Sequence, residues 1–269
     1  MDGEKMNDKN KPIAVYDSGV GGISVLKKIV RLLPHEDFIY YGDSQNAPYG
    51  SKPTNEIKRL TLAAVDHLVH RNIKALVIAC NTATSAAIDD VRAAYPDLLV
   101  FGIEPALKPA VVAAPEGSIV VMATELTLKE KKFDQLVESV AQQRQVIKMT
   151  CPGLVELIET GQADSASTLD YLKDKFKDLD QSSFSAVVLG CTHYPFIRKA
   201  LQSVIGEDKI IVDGAEGIAR HLRSILESRN LLSERNSHGE IQVLNSAPGN
   251  ELLQLSIDLL VSRDFETGA

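Results

Sequence analysis

Short apolar runs rich in Val, Ile and Leu recur along the chain, and between them lie longer stretches whose apolar residues return every three or four positions. The runs predict strands at Ile13–Tyr16, Phe38–Tyr41, Ala75–Ala79, Leu98–Ile103, Ser118–Ala123, Val146–Thr150, Ala186–Gly190, Lys209–Val212 and Ile241–Leu244. A helix is predicted over Ile23–Leu33, where Ile23, Leu26, Val30 and Leu33 form one stripe. Another is predicted over Ala83–Ala94 on the stripe Ala83, Ala87, Val91 and Ala94, and a short one over Pro152–Thr160. Continuous apolar strands alternating with amphipathic helices are the pattern of a doubly wound α/β fold with mainly parallel sheets.

The pattern also repeats. Ala75-Leu-Val-Ile-Ala-Cys80-Asn-Thr82 resembles Ala186-Val-Val-Leu-Gly-Cys191-Thr-His193 in type and order, and Ile13-Ala-Val-Tyr-Asp-Ser18 is echoed more weakly by Ile119-Val-Val-Met-Ala-Thr124. Two similar lobes are therefore expected. In open α/β sheets ligands bind beyond the carboxyl ends of the strands, so two such lobes would turn their strand-end loops toward one central cleft. Polar residues at those ends become the candidates for chemistry.

Composition narrows the classes. With 269 residues, 44% of them hydrophobic, the chain can build a substantial core. Its 36 acidic against 29 basic residues give a net charge of −7, which disfavours nucleic acid and anionic membrane surfaces as main partners. No apolar run approaches the roughly 20 residues of a membrane span, and Met1 to Lys11 is polar with no signal-peptide core, so a cytoplasmic location is expected. Met6 is an alternative start, and the first eleven residues are expected to fray. Three cysteines, Cys80, Cys151 and Cys191, suit free thiols in a reducing compartment.

Cys80 and Cys191 each end an apolar strand and each is followed by residues able to cap a helix, Asn81 and Thr82 or Thr192. The positive end of a helix would favour thiolate at both. Cys151, followed by Pro152-Gly153, reads as structural. Two matched thiols suit removal of a proton from one face of a carbon and return of another to the opposite face, which inverts a stereocentre. Disulfide exchange lacks its Cys-x-x-Cys spacing, and zinc held by Cys80, Cys191 and His193 is the remaining metal alternative. The loop Asp17-Ser-Gly-Val-Gly-Gly22 has Ser24 where a dinucleotide fingerprint needs glycine, and no Walker lysine follows. What it offers is a close backbone approach to a small anion, a Ser18 hydroxyl, and Asp17 as an acceptor or a helix cap. The loop Gly42–Gly50 adds Asp43, Tyr49 and Gly50 as hydrogen-bonding groups. Of six histidines only His193 lies in a motif, and Glu159 reads as a surface carboxylate. No lysine in these motifs is placed to carry a pyridoxal Schiff base.

Together, Asp17-Ser-Gly-Val-Gly-Gly22, Gly42-Asp-Ser-Gln-Asn-Ala-Pro-Tyr-Gly50, Ala79-Cys-Asn-Thr-Ala83 and Gly190-Cys-Thr-His-Tyr-Pro195 resemble the glutamate racemases in order and spacing, from Pro12 to about Leu260. The resemblance implies a cofactor-independent two-base enzyme that interconverts L- and D-glutamate and supplies D-glutamate for peptidoglycan. It implies that Cys80 acts on the D enantiomer and Cys191 on the L enantiomer. Asp17, Asp43, Glu159 and His193 would take supporting roles, with Ser18, Tyr49, Gly50, Asn81, Thr82 and Thr192 binding substrate alongside Asp17 and His193. It also implies a homodimer, and lobes of 1–103 with 213–269 and of 104–212. Two departures stand out. Leu126 takes the place of a family glycine beside Thr127, and Ser44, Gln45 and Asn46 replace the commoner Thr-Ala-Arg.

Overall fold

The computed structural model describes residues 8–114, 116–140 and 144–262. They form two compact units, one of 8–103 with Ala215–Ser262, the other of Glu104–Gly214.

The first unit holds a five-stranded sheet of β1 (Ile13–Asp17), β2 (Phe38–Gly42), β3 (Ala75–Ile78), β4 (Leu99–Gly102) and the late strand β9 (Ile241–Asn245), ordered β4-β3-β1-β2-β9. The second holds β5 (Ser118–Ala123), β6 (Val146–Thr150), β7 (Phe184–Gly190) and β8 (Ile210–Asp213), ordered β6-β5-β7-β8. Every pairing is parallel. The nine predicted strands are all present, β5 and β6 with the expected ends and the rest with ends moved by one or two residues. The largest shift is at β7, which starts two residues early at Phe184, and β1 gains Asp17 as its last residue.

Continuous apolar runs form the central strands β1, β3, β5 and β7 because both faces are covered, while the outer strands β4, β6, β8 and β9 are partly exposed. On one face of the first sheet Ile13, Val15, Phe38, Tyr40, Ala75 and Val77 pack against the helices Ile23–Leu32 and Ala215–Ser228. Their neighbours Ala14, Tyr16, Leu76 and Ile78 are equally buried on the other. In the second unit Ile119, Val121, Ala123, Ala186 and Val188 pack with Leu107 and Ala110.

The two sheets share a winding. From β1 the chain moves to β2 on one side and then to β3 on the other, and from β5 it moves to β6 and then to β7 in the same way. The loops after β1 and β3, and those after β5 and β7, therefore diverge at a switch point, where an open sheet leaves a crevice at its carboxyl edge. The two sequence echoes are the strand pairs that flank these switch points.

At the opposite edge of the first sheet, Lys74 and Glu36 form a buried ion pair at 2.5 Å. Lys74 also donates to the carbonyls of Lys9 and Leu231, and Glu36 accepts from the Ser233 amide. This corrects the expectation of fraying for residues 8–11, since Lys9 is tied into the body and its own ammonium reaches Asn230 and Glu234. Met6 and the rest of 1–7 lie outside the described residues, as do 263–269.

Candidate active site

The first cluster grows from β1 and β3. The Ala79 amide donates to the Tyr16 carbonyl at 2.7 Å, which carries the β1–β3 ladder one step further and sets Cys80 beside the loop after β1. Cys80 is 5% exposed and is itself the N-cap of the helix Asn81–Ala94. Its sulfur accepts from the Ala83 amide at 3.4 Å and lies 3.3 Å from the Ser18 hydroxyl. The sequence put the helix start at Ala83 with Asn81 and Thr82 as caps. The structure corrects this, because the thiol takes the capping place and Asn81 and Thr82 are its first helical turn. Both are buried, and the Asn81 side-chain oxygen has no hydrogen-bond partner, an orphan acceptor of the kind a ligand donor fills.

Asp17 is not a helix cap. The helix Ile23–Leu32 is capped by Gly22 with no side-chain bond, while Asp17, 0% exposed, accepts from the Gly19 amide at 3.0 Å and closes its own turn. Gly22 in this loop and Gly42 at the end of β2 are both required by close packing. A Cβ on Gly22 would stand 2.5 Å from the Asp17 Cβ, and one on Gly42 would stand 2.5 Å from the Gly19 carbonyl oxygen. Close approach of the chain to itself, at least at these two positions, is why glycine is required.

Asp43 follows β2, and its amide donates to the Asp17 carbonyl at 2.9 Å. Its carboxylate receives Asn46 on both oxygens, Tyr49 at 2.6 Å and Ser246 at 2.7 Å. Tyr16 donates in turn to the Tyr49 hydroxyl at 2.8 Å. Burial pushes both phenols upward, so each keeps its proton and the chain runs from Tyr16 through Tyr49 to Asp43. The Tyr49 hydroxyl is therefore engaged inside the protein. What this turn has left to offer a ligand is its backbone, at Tyr49 and Gly50.

The second cluster stands at the end of β7. Cys191 is 9% exposed, and its sulfur lies 3.8 Å from His193 Nδ1, while His193 Nε2 lies 2.9 Å from Glu159 Oε1. Burial of His193 opposes its charge, but the hydrogen bonds and charges of Cys191 and Glu159 outweigh it and raise the imidazole well above its ordinary range. Two expectations are corrected here. No α-helix starts at Cys191, because a 3-10 turn over Tyr194–Ile197 intervenes before the helix Arg198–Ile205, so the dipole argument does not carry over from Cys80. Glu159, at the end of the short helix Leu154–Glu159, is not a solvated surface carboxylate but the partner of His193. Thr192 is buried beside Cys191.

At the other switch-point loop, Thr124 caps the helix Glu125–Lys129 and its hydroxyl pairs with that of Thr127 at 2.9 Å, with Thr127 fully buried. Cys151 donates weakly to the Met149 carbonyl, and burial pushes its thiol up to about 12, as a structural cysteine requires. The other five histidines are exposed. Among the described residues no group of three or more His, Cys, Asp or Glu side chains could hold a metal ion. No helix among them is long and apolar enough to cross a membrane.

Sequence reasoning passed over Tyr16, Asn245 and Ser246. Tyr16 reads as one more core aromatic, and Asn245-Ser246 as a turn after an edge strand. The only signal was that polar residues close β9 as they close β1 and β2.

Comparison with known proteins agrees with this architecture. Residues 17–222 match the family model of the Asp/Glu/hydantoin racemases. A glutamate racemase of Clostridium acetobutylicum is 50% identical over 95% of this chain and 99% of its own, and one of Clostridium botulinum is 48% identical over 96% and 100%. A glutamate racemase isoform of Bacillus anthracis superposes with a TM-score of 0.85 at 29% identity, covering 94% of both chains. The Francisella tularensis glutamate racemase solved with D-glutamate gives 0.83 at 25% identity, covering 94% of this chain and 95% of its own.

Proposed function

The chain belongs to the Asp/Glu/hydantoin racemase family, and from that premise we infer a two-thiol mechanism for it. Its activity is that of an amino-acid racemase interconverting L- and D-glutamate, the reaction that supplies D-glutamate for peptidoglycan. One cysteine, as thiolate, takes the α-proton and the other, as thiol, delivers a proton to the opposite face. The carbon inverts and the two sulfurs exchange protonation states. Cys80 acts on D-glutamate and Cys191 on L-glutamate. The observation that carries this reading is the matched placement of the two thiols, each closing the strand beside its own sheet's switch point.

The surrounding groups then have distinct tasks. The N-terminus of Asn81–Ala94 and the Ser18 hydroxyl stabilise negative charge on the Cys80 sulfur. On the other side the His193 imidazolium, oriented by Glu159, holds charge on the Cys191 sulfur and keeps a proton within reach of it. Asn81, with its orphan acceptor, takes the α-ammonium. The Ser18 backbone, the Thr82 and Thr192 side chains and the backbone at Tyr49 and Gly50 take the carboxylates, while Asp17 and Asp43 shape the loops that present them.

Magnitudes say that the thiols do not suffice. General acid–base catalysis supplies about 10²–10⁴-fold, roughly 3–5 kcal/mol of barrier, and a helix terminus at most about 2 kcal/mol. An α-proton of an amino acid is a far weaker acid than these close, so fixed donors around the carboxylate and the developing carbanion must supply much of the rest. No cofactor is part of this mechanism. We also take the enzyme to work as a cytoplasmic homodimer, on the family likeness, and light scattering that returned a monomer at assay concentration would overturn the oligomer.

The decisive experiment incubates the protein with each enantiomer in D₂O, following α-proton loss by NMR together with optical rotation. Wild type should exchange and racemise, and Cys80→Ala or Cys191→Ala should each lose about 10²–10⁴-fold or more. Full racemisation by either variant would refute the two-thiol mechanism.

A further inference from the structure

The first sheet has a fifth strand, β9, laid along β2, and the residues that close it reach the loop that carries Asp43. The Ser246 amide donates to the Gly42 carbonyl at 2.9 Å, and the Ser246 hydroxyl donates to Asp43 Oδ1 at 2.7 Å while accepting from the Gln45 amide at 3.0 Å. Beside it the Asn245 side chain donates to the Ser44 hydroxyl at 2.9 Å and accepts from the Ala247 amide. A segment more than 200 positions away in sequence thus grips three consecutive residues of the loop.

The carboxylate at the centre of this grip is fully subscribed. Asp43 Oδ1 accepts from Asn46 and Ser246, and Oδ2 from Asn46 and Tyr49, which uses the four acceptor sites an ionised carboxylate offers. A group so committed is badly placed to shuttle a proton but well placed to fix geometry. Its bond to Tyr49, with Tyr16 behind, sets where the Tyr49–Gly50 backbone stands. Removing the Ser246 hydroxyl would leave Oδ1 with one donor and the Gln45 amide without its acceptor, and the loop would be free to drift.

We propose that Ser246 is a positioning residue for racemisation, holding Asp43 from the C-terminal strand so that the Tyr49–Gly50 turn is pre-set to receive substrate. The inference rests on the reading of that turn as part of the glutamate site. Ser246 bonds to Gly42, Asp43 and Gln45, so its effect falls on binding and leaves the proton transfers alone.

The test compares Ser246→Ala and Ser246→Thr with wild type in steady-state racemisation of both enantiomers across pH, with thermal melts alongside. Ser246→Ala should raise KM about tenfold for L- and D-glutamate, the order expected for one charge-assisted hydrogen bond, with kcat within about twofold and the pH profile unmoved. Ser246→Thr, which keeps the hydroxyl, should restore KM. In an Asp43→Asn background the further change Ser246→Ala should add little, because both act on one bond. If Ser246→Ala does not fold, Ser246→Thr against its isostere Ser246→Val makes the same comparison. An unchanged KM, a shifted pH limb, or full additivity with Asp43→Asn would overturn the proposal. Wild-type protein that fails to racemise glutamate would remove the substrate reading and this inference with it, whereas active wild type with an indifferent Ser246→Ala removes Ser246 alone.

Discussion

The two units wind alike, yet each surrounds its thiol differently. Cys80 caps a 14-residue helix and touches a serine hydroxyl, so neutral donors and a helix terminus face its sulfur. Cys191 has no helix at its back and instead meets an imidazole tied to a carboxylate. In the first arrangement the hydroxyl and the amide at Cys80 steady charge on sulfur without themselves titrating near neutral pH. The second brings a titratable partner whose own charge depends on pH. A repeated strand and cysteine therefore do not imply a repeated electrostatic environment, because the segment after the strand decides it.

The largest effect should come from taking the carboxylate away from the titratable partner. Glu159→Gln takes the carboxylate from His193 and should lower kcat/KM about 10²-fold, whereas Ser18→Ala should cost about tenfold or less. Because the enantiomers are equal in free energy, kcat/KM must fall equally in both directions. The asymmetry between the thiols is instead read in the α-deuterium isotope effects measured from each enantiomer. Equal losses and equal isotope effects in both variants would mean that the two environments work alike.

A smaller contrast concerns the backbone beneath each cluster. Gly42→Ala drives a Cβ to 2.5 Å from a backbone carbonyl, and Gly190→Ala meets the Ala123 Cβ at 2.9 Å and the Met122 carbonyl at 3.0 Å. Overpacking of this kind costs about 1–3 kcal/mol, and Gly42→Ala should lie at the upper end in urea unfolding. A larger loss for Gly190→Ala would invert the ranking.

The smallest effect is on stability against pH, and it belongs to the second unit. His193 is raised well above its ordinary 6.5, so its charged form is favoured in the folded state. That contribution is fully present below pH 6.5 and is lost as pH rises through the folded-state value. The Tm of wild type should therefore fall over this rise more than that of Glu159→Gln, measured in matched ionic strength. Parallel curves would show that the dyad adds nothing to the fold.

Much of this was legible in the chain. Apolar runs located the central strands because a strand buried on both faces must be apolar throughout, the partly exposed outer strands kept enough apolar positions to be found, and the two internal echoes marked the strands beside the switch points. Helix starts were less legible. Cys80 is not a residue that propensity nominates as a cap, yet it caps the helix, whereas Thr192, a good capping residue, stands before a 3-10 turn.

The sequence by itself determined the α/β class and the alternation of strands and helices, and it singled out two matched cysteines as candidates, since all of these depend on local periodicity and on residue type. Only the tertiary structure decided which groups face those thiols. Glu159 meets His193 across 34 positions and Ser246 meets Asp43 across 203, and nothing in the local pattern of either segment encodes its partner. Hydrogen bonds of that reach form because the sheet brings distant strand ends to a common edge, and the chemistry of the site lies where the folded backbone places those ends.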